Sequence, residues 1–217
     1  MKIKGVVFDF NGTLFWDTAI HNLAWNTFFE KLHIKVSDKE KHEKLHGKDN
    51  KRILKEFLGT NISEKEILNY SIEKEQVYRN FCAKSGLKLA ECASDFLDFL
   101  KARNIPFTIA TASEWENVVF YFEYLKLEKY FDISKVVYSD GKIKSKPDPD
   151  MYKKAIKILN LKSYETLIFE DSFSGIKAAE NALVGKIIIV NSNNEDYSEF
   201  PHQKIKNFKE IDLRFFD

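Results

Sequence analysis

Short apolar runs recur along the chain, each ending in small or acidic residues: 3–8, 107–110, 136–138, 167–169 and 186–190. Continuous apolar character over strand length is what a strand buried on both faces requires. Between the later runs, apolar residues fall at i, i+3, i+4, which puts them on one face of a helix. Residues 93–102 (Phe96, Leu97, Phe99 and Leu100 on one side), 118–127 and 151–161 follow this spacing. Strand alternating with helix predicts an α/β fold with a parallel sheet and helices on both faces. One region breaks the alternation. Residues 15–86 contain no clear strand, and 21–32, 39–46, 52–58 and 64–81 read as helices. Ser63 and Glu66 have the spacing of a capping box, and Gly47, Gly59 and Gly86 fall where helices end. The expected organisation is an α/β core made of residues 1–14 and 87–217, with an all-α helical cap, 15–86, inserted after the first strand. The polar stretch 191–198 reads as a loop.

At 217 residues the chain can bury one core and a small insert. Thirty-four Lys+Arg against 33 Asp+Glu leave a formal net charge of +1, which makes no electrostatic case for nucleic acid or a membrane surface as partner. No apolar run approaches the roughly 18 residues of a membrane span. The opening Met1-Lys2-Ile3-Lys4-Gly5 starts like a signal peptide, but Asp9 interrupts it and no small-residue cleavage site follows. Cys82 and Cys92 lack metal-ligand spacing and are too few for a disulfide framework. A reduced, cytoplasmic setting is expected, and nothing points to an obligate protein partner. Arginine occurs only at Arg52, Arg79, Arg103 and Arg214, so a bidentate anion clamp must draw on those four.

Four segments carry candidate chemistry. Asp9-Phe10-Asn11-Gly12-Thr13-Leu14 follows the first strand. A carboxylate at the carboxyl end of a strand in an open α/β sheet lies where ligands bind, as a nucleophile or a metal ligand; Asn-Gly there also suits a plain turn. Ala110-Thr111-Ala112-Ser113 puts a hydroxyl and backbone N–H groups at a helix start, either an anion site or a simple cap. Ser145-Lys146-Pro147-Asp148-Pro149 holds a lysine before a proline turn, as a fixed positive charge or as a surface turn before a helix. Glu170-Asp171-Ser172 pairs two acids at a strand end, which suits a hard cation such as Mg²⁺, while Asp171 or Ser172 also fits a helix N-cap. A fifth segment, His42-Glu43-Lys44-Leu45-His46, matches the H-E-x-x-H pattern of helical zinc proteases, but Gly47 follows at once and no third ligand is evident.

In the order acid, hydroxyl, lysine, paired acid, the four strand-end motifs resemble those of haloacid-dehalogenase-superfamily hydrolases with a helical cap. The likeness is greatest to the subgroup of beta-phosphoglucomutases and small sugar-phosphate phosphatases, and it covers about residues 2–191. It implies a Rossmann-like core and a phosphohydrolase acting on a small phosphorylated metabolite, such as a sugar phosphate. In that resemblance Asp9 accepts the phosphoryl group as an aspartyl-phosphate. Thr111 and the N–H of Ala112 hold phosphoryl oxygens, and Lys146 neutralises charge. Asp9, the carbonyl of Asn11, Glu170 and Asp171 hold Mg²⁺. His21-Asn22-Leu23-Ala24-Trp25 resembles the subgroup's His-x-x-Ala-Trp, and Leu45-His46-Gly47 its cap loop, placing His21, Trp25, Gly47 and Asn50 on the substrate side of the cap.

The chain departs from that pattern at Asn11, where the superfamily usually has a second Asp that exchanges the proton of the leaving group and of water. An amide donates a hydrogen bond but does not titrate in this range. His46 and Asn50 stand where the mutases have Lys and Arg, although Lys51 or Arg52 lies within reach if the loop shifts. A phosphomutase, and a weakly catalytic protein that binds a phosphorylated ligand, are therefore the alternatives. The Glu170-Asp171 pair argues against a metal-free dehalogenase. Asn50, where phosphonatases carry their cap lysine, argues against that chemistry.

Overall fold

The structure is a computed structural model that describes residues 2–217, apart from the side chains of Asp38 and His42. After strand β1 (Gly5–Phe8) come four helices, α1 (Thr18–Lys31), α2 (Asp38–Lys44), α3 (Asn50–Leu58) and α4 (Glu64–Ser85). The chain then runs α5 (Ala93–Ala102), β2 (Phe107–Ile109), α6 (Trp115–Leu125), α7 (Asp150–Ile158), β3 (Thr166–Glu170), α8 (Phe173–Asn181), β4 (Lys186–Val190) and β5 (Gln203–Ile205). The strands form one parallel sheet in the order β2-β1-β3-β4-β5. Run 136–138 does not become a strand; only Val137 pairs, with Ala110 at the end of β2. Helix α1 begins at Thr18 and α6 at Trp115, each three residues before the ranges 21–32 and 118–127 expected from sequence.

Alternation along the strands divides the core in two. Val6, Phe8, Leu167, Phe169 and Ile188 pack on α5 and α6. Val7, Ile168 and Ile187 face the other way onto Met151, Tyr152 and Ala155 of α7 and Ala178 and Ala179 of α8. Helices α1, α3 and α4 bury their own cluster around Trp25, Phe28, Phe29, Ile53, Leu54 and Ile67. Their ends are defined as the spacing predicts. Ser63 and Glu66 form a reciprocal capping box, and Gly59 and Gly86 cap α3 and α4; a second box, Ser37 with Glu40, opens α2. No helix among the described residues is long and apolar enough to cross a membrane.

Candidate active site

Register positions the chemistry. Phe8 lies opposite Phe169, so the next residues, Asp9 and Glu170, emerge side by side at the carboxyl ends of β1 and β3. One oxygen from each of Asp9, Glu170 and Asp171 lies within 4.8 Å of the other two. Lys146 is fully buried between them, its Nζ donating to Asp9 Oδ1 at 2.6 Å and to Glu170 Oε1 at 2.5 Å. Glu170 also accepts from Tyr152 OH (2.9 Å), Ser172 N (2.7 Å) and Ser172 Oγ (3.0 Å). Ser172 in turn caps α8 by accepting from Gly175 N. Asp171 accepts from Thr13 Oγ1 at 3.0 Å. Gly12 has a positive φ of 80°, and a Cβ there would overlap the Asp171 carboxylate, so only glycine fits this turn.

Three carboxylates share one ammonium, and the balance is negative. Burial pushes Asp9 up to about 7 against the pull of Lys146, with Glu170 adding to the rise. Asp171 is raised well above the carboxylate range by burial and by the Glu170 and Asp9 charges. Burial works against the Lys146 ammonium, but Asp9 and Glu170 more than offset it and hold the proton above the ordinary lysine range. A buried, all-oxygen, under-neutralised cluster fits a hard dication such as Mg²⁺.

The sign of the pH effect follows. Asp9 and Asp171 are both raised on folding; in the metal-free protein the Asp9 contribution is full below about pH 4 and is lost as pH rises through about 7, and Asp171 acts in the same sense. A dication held by these carboxylates would take the place of those protons. Its stabilisation, read as the Tm difference between Mg²⁺ and EDTA samples, should therefore be larger at about pH 8 than at about pH 5.5. A difference that shrinks with rising pH would contradict this.

Asn11 is held at both ends. Its Oδ1 accepts from Ser113 Oγ (2.8 Å) and Thr111 Oγ1 (3.3 Å), and its Nδ2 donates to Asp17 Oδ2 (2.7 Å) and Tyr121 OH (2.9 Å). Asp17 is wholly buried. It also accepts from the N–H of Gly12 (3.1 Å) and from Tyr78 OH, and its Oδ2 lies 3.4 Å from His21 Nε2. The amide at position 11 is thus matched to a carboxylate at 17. Asn11→Asp would set two carboxylates against each other, and a stability loss of roughly 1–3 kcal/mol at neutral pH is expected. The exchange Asn11→Asp with Asp17→Asn should recover part of it. Thermal melts check this; an Asn11→Asp protein as stable as the native one at neutral pH would refute the pairing.

A cavity opens from Asp9 toward the cap, lined by Asn11, Thr111, Ala112 and Asp171 below and by His21, Trp25, Gly47, Asn50, Lys74 and Glu75 above. The expected residues Asp9, Asn11, Thr111, Ala112, Asp171, His21, Trp25, Gly47 and Asn50 therefore share one cavity, with Lys146 and Glu170 buried behind Asp9. Gly47, at a φ of 72°, lets the cap loop approach Ser172 where a Cβ would collide. Ser174 Oγ donates to His46 O (3.1 Å) and Arg52 donates to Lys146 O (2.8 Å), tying this loop to the core. Arg52 thus clamps the backbone and Lys51 pairs with Glu64 at 2.8 Å. Neither takes the place of the missing cap cations. The pattern at 42–46 is not a helical zinc site. The side chain of His42 lies outside the described residues, and α2 ends at Lys44, so His46 is not on the helix; it meets Asn22 Oδ1 at 3.1 Å.

Asp17, Lys74, Glu75 and Tyr78 were not anticipated from sequence. Asp17 reads as a helix cap, and Lys74 and Glu75 sit in the charged stretch Glu73-Lys74-Glu75-Gln76, which has the composition of a solvated helix face.

A parallel α/β sheet with a lysine-bridged acid cluster at its carboxyl edge, covered by an inserted helical layer, defines a capped α/β hydrolase. The chain matches the haloacid dehalogenase-like hydrolase family over residues 3–182 and belongs to that family. It is 28% identical to the phosphorylated carbohydrates phosphatase of Thermotoga maritima, covering 89% of this chain and 88% of that protein. It is 25% identical to the beta-phosphoglucomutase of Bacillus subtilis, over 83% and 80% of the two chains. Among solved structures, a family IA variant 3 hydrolase of the same superfamily from Entamoeba histolytica superposes with a TM-score of 0.88 at 35% identity, covering 99% and 97% of the chains. CbbY from Rhodobacter sphaeroides, solved with xylulose-(1,5)bisphosphate, shares the fold with a TM-score of 0.82 at 23% identity, over 99% of both chains.

Proposed function

We propose that this protein is a Mg²⁺-dependent phosphohydrolase of small phosphorylated metabolites, with sugar monophosphates as the substrate class. The observation that carries the reading is the buried Asp9–Lys146–Glu170–Asp171 cluster opening into a cavity walled by Thr111 and Ala112. In this reading residues 1–14 and 87–217 are the catalytic core and 15–86 the cap that covers it.

An Asp9 carboxylate oxygen attacks phosphorus and the ester oxygen leaves as an alkoxide that takes its proton from solvent water, giving an aspartyl-phosphate; water then hydrolyses it to inorganic phosphate and frees Asp9. Thr111 Oγ1 and the Ala112 N–H orient the phosphoryl oxygens. Lys146 pulls Asp9 toward its ionised form and offsets the repulsion between two anions. Asp9, Glu170, Asp171 and the Asn11 carbonyl would hold Mg²⁺, which supplies charge neutralisation at the phosphoryl group. Asn11 orients through its hydrogen bonds and moves no proton, so esters with good leaving groups should turn over fastest. The lock on Asn11 also favours a second reading, ligand binding without turnover.

The test is phosphate release from a panel of sugar monophosphates and an aryl phosphate, with Mg²⁺ and with EDTA. Release that requires Mg²⁺ is expected. Thermal stabilisation by these ligands without any release would replace this reading with the second one.

A further inference from the structure

The cap wall of the cavity carries an arrangement of charge that the phosphoryl chemistry does not use. Lys74 and Glu75 are adjacent on α4, almost completely buried, and paired at 2.8 Å. Glu75 Oε1 also accepts from Asn50 Nδ2 (2.9 Å) and its Oε2 from Asn117 Nδ2 (2.6 Å), while Arg79 donates to Asn117 Oδ1 (2.7 Å). Burial opposes the Glu75 charge, but Lys74, His21 and these donors hold its carboxyl at about 2. Lys74 is further engaged by His21 Nδ1 at 3.1 Å and lies over the Trp25 ring, 4.9 Å from its centre. Behind Asn50 stands Glu114, whose Oε1 accepts the same Asn50 amide at 3.2 Å. The other cation at the wall, Lys48, is paired with Glu56 at 3.1 Å and donates to Glu43 O at 2.8 Å.

We propose that this wall restricts the enzyme to monophosphate esters with uncharged, hydroxyl-rich skeletons, and that Glu75 is the residue that excludes a second phosphate. The inference rests on the phosphohydrolase reading above. A phosphate at the far end of the substrate would meet an ionised carboxylate inside a cavity, where like charges in contact repel with little solvent to screen them. Lys74 cannot compensate, because turning it toward the phosphate leaves the buried Glu75 with amide donors but no counter-charge. Sugar hydroxyls suit the same wall, since they both donate to a carboxylate and accept from an ammonium. Selectivity arises here by rejection as much as by attraction.

The experiment compares kcat/KM for fructose 6-phosphate and fructose 1,6-bisphosphate in the native protein, Glu75→Gln and Glu114→Gln. The native protein should prefer the monophosphate about tenfold or more. Glu75→Gln should narrow that ratio about tenfold, through a lower KM for the bisphosphate. Glu114→Gln leaves the Lys74–Glu75 pair intact and should narrow it less, in the same direction, which keeps the test open if Glu75→Gln folds poorly. Equal use of both substrates by the native protein, or variants that change both rates alike, would overturn the inference while leaving the phosphohydrolase reading in place. Absence of Asp9-dependent release from any monophosphate overturns both.

Discussion

Asp9→Asn is expected to lower Mg²⁺-dependent phosphate release on the order of 10⁴-fold or more, the range found when a covalent nucleophile is removed. The substitution is nearly isosteric, so the loss should not come from misfolding. Asn retains one oxygen toward Lys146, and the sheet beneath is made of Val6, Val7, Phe8 and the strands that flank them. The readout that separates chemistry from binding is the intermediate. Acid-quenched native protein mixed with substrate should carry a hydroxylamine-labile phosphoryl group, as an acyl phosphate does, and the variant should carry none. Retention of more than a tenth of the native rate would remove Asp9 from the mechanism.

Lys146→Met should destabilise the protein by roughly 3–5 kcal/mol at neutral pH in the absence of metal, because it leaves buried carboxylates without their cation. Lys146 is wholly buried and contacts both Asp9 and Glu170. Without it the two acids can be relieved only by protons or by a metal ion. The deficit relative to native protein should therefore shrink as pH falls, and Mg²⁺ should restore part of it. Denaturant unfolding at neutral and mildly acidic pH, with EDTA and with Mg²⁺, checks all three statements. A variant as stable as the native protein at neutral pH without metal would show that Lys146 does not neutralise this cluster.

Much of the core was legible in the sequence because parallel strands covered on both faces must be continuously apolar. Run 186–190 coincides with β4, and 167–169 lies inside β3. The failures have the same cause in reverse. Residues 136–138 are apolar enough for a strand, but a polar segment, Ser139-Asp140-Gly141-Lys142, follows them and Val137 reaches only the end of β2. Strand β5 is three residues at the sheet edge, with Gln203 half-buried and Lys204 exposed, and among the described residues it pairs with β4 alone. Neither pattern can be judged without knowing what lies alongside.

For the site, the order of motifs at the strand ends and the amide at position 11 are written in the primary structure. These are local: a carboxylate that follows a buried strand must emerge at the sheet's edge. Tertiary structure alone decided that Asn11 is gripped by Asp17, Tyr121 and Ser113. It also decided that Lys74 and Glu75 line the cavity while Lys51 pairs with Glu64 and Arg52 with the backbone of Lys146. A charged residue on a helix is solvated or buried according to the partners that distant segments bring to it. Glu75 is stable inside only because Asn50, Lys74 and Asn117 converge on its two oxygens, and no spacing within α4 encodes that convergence.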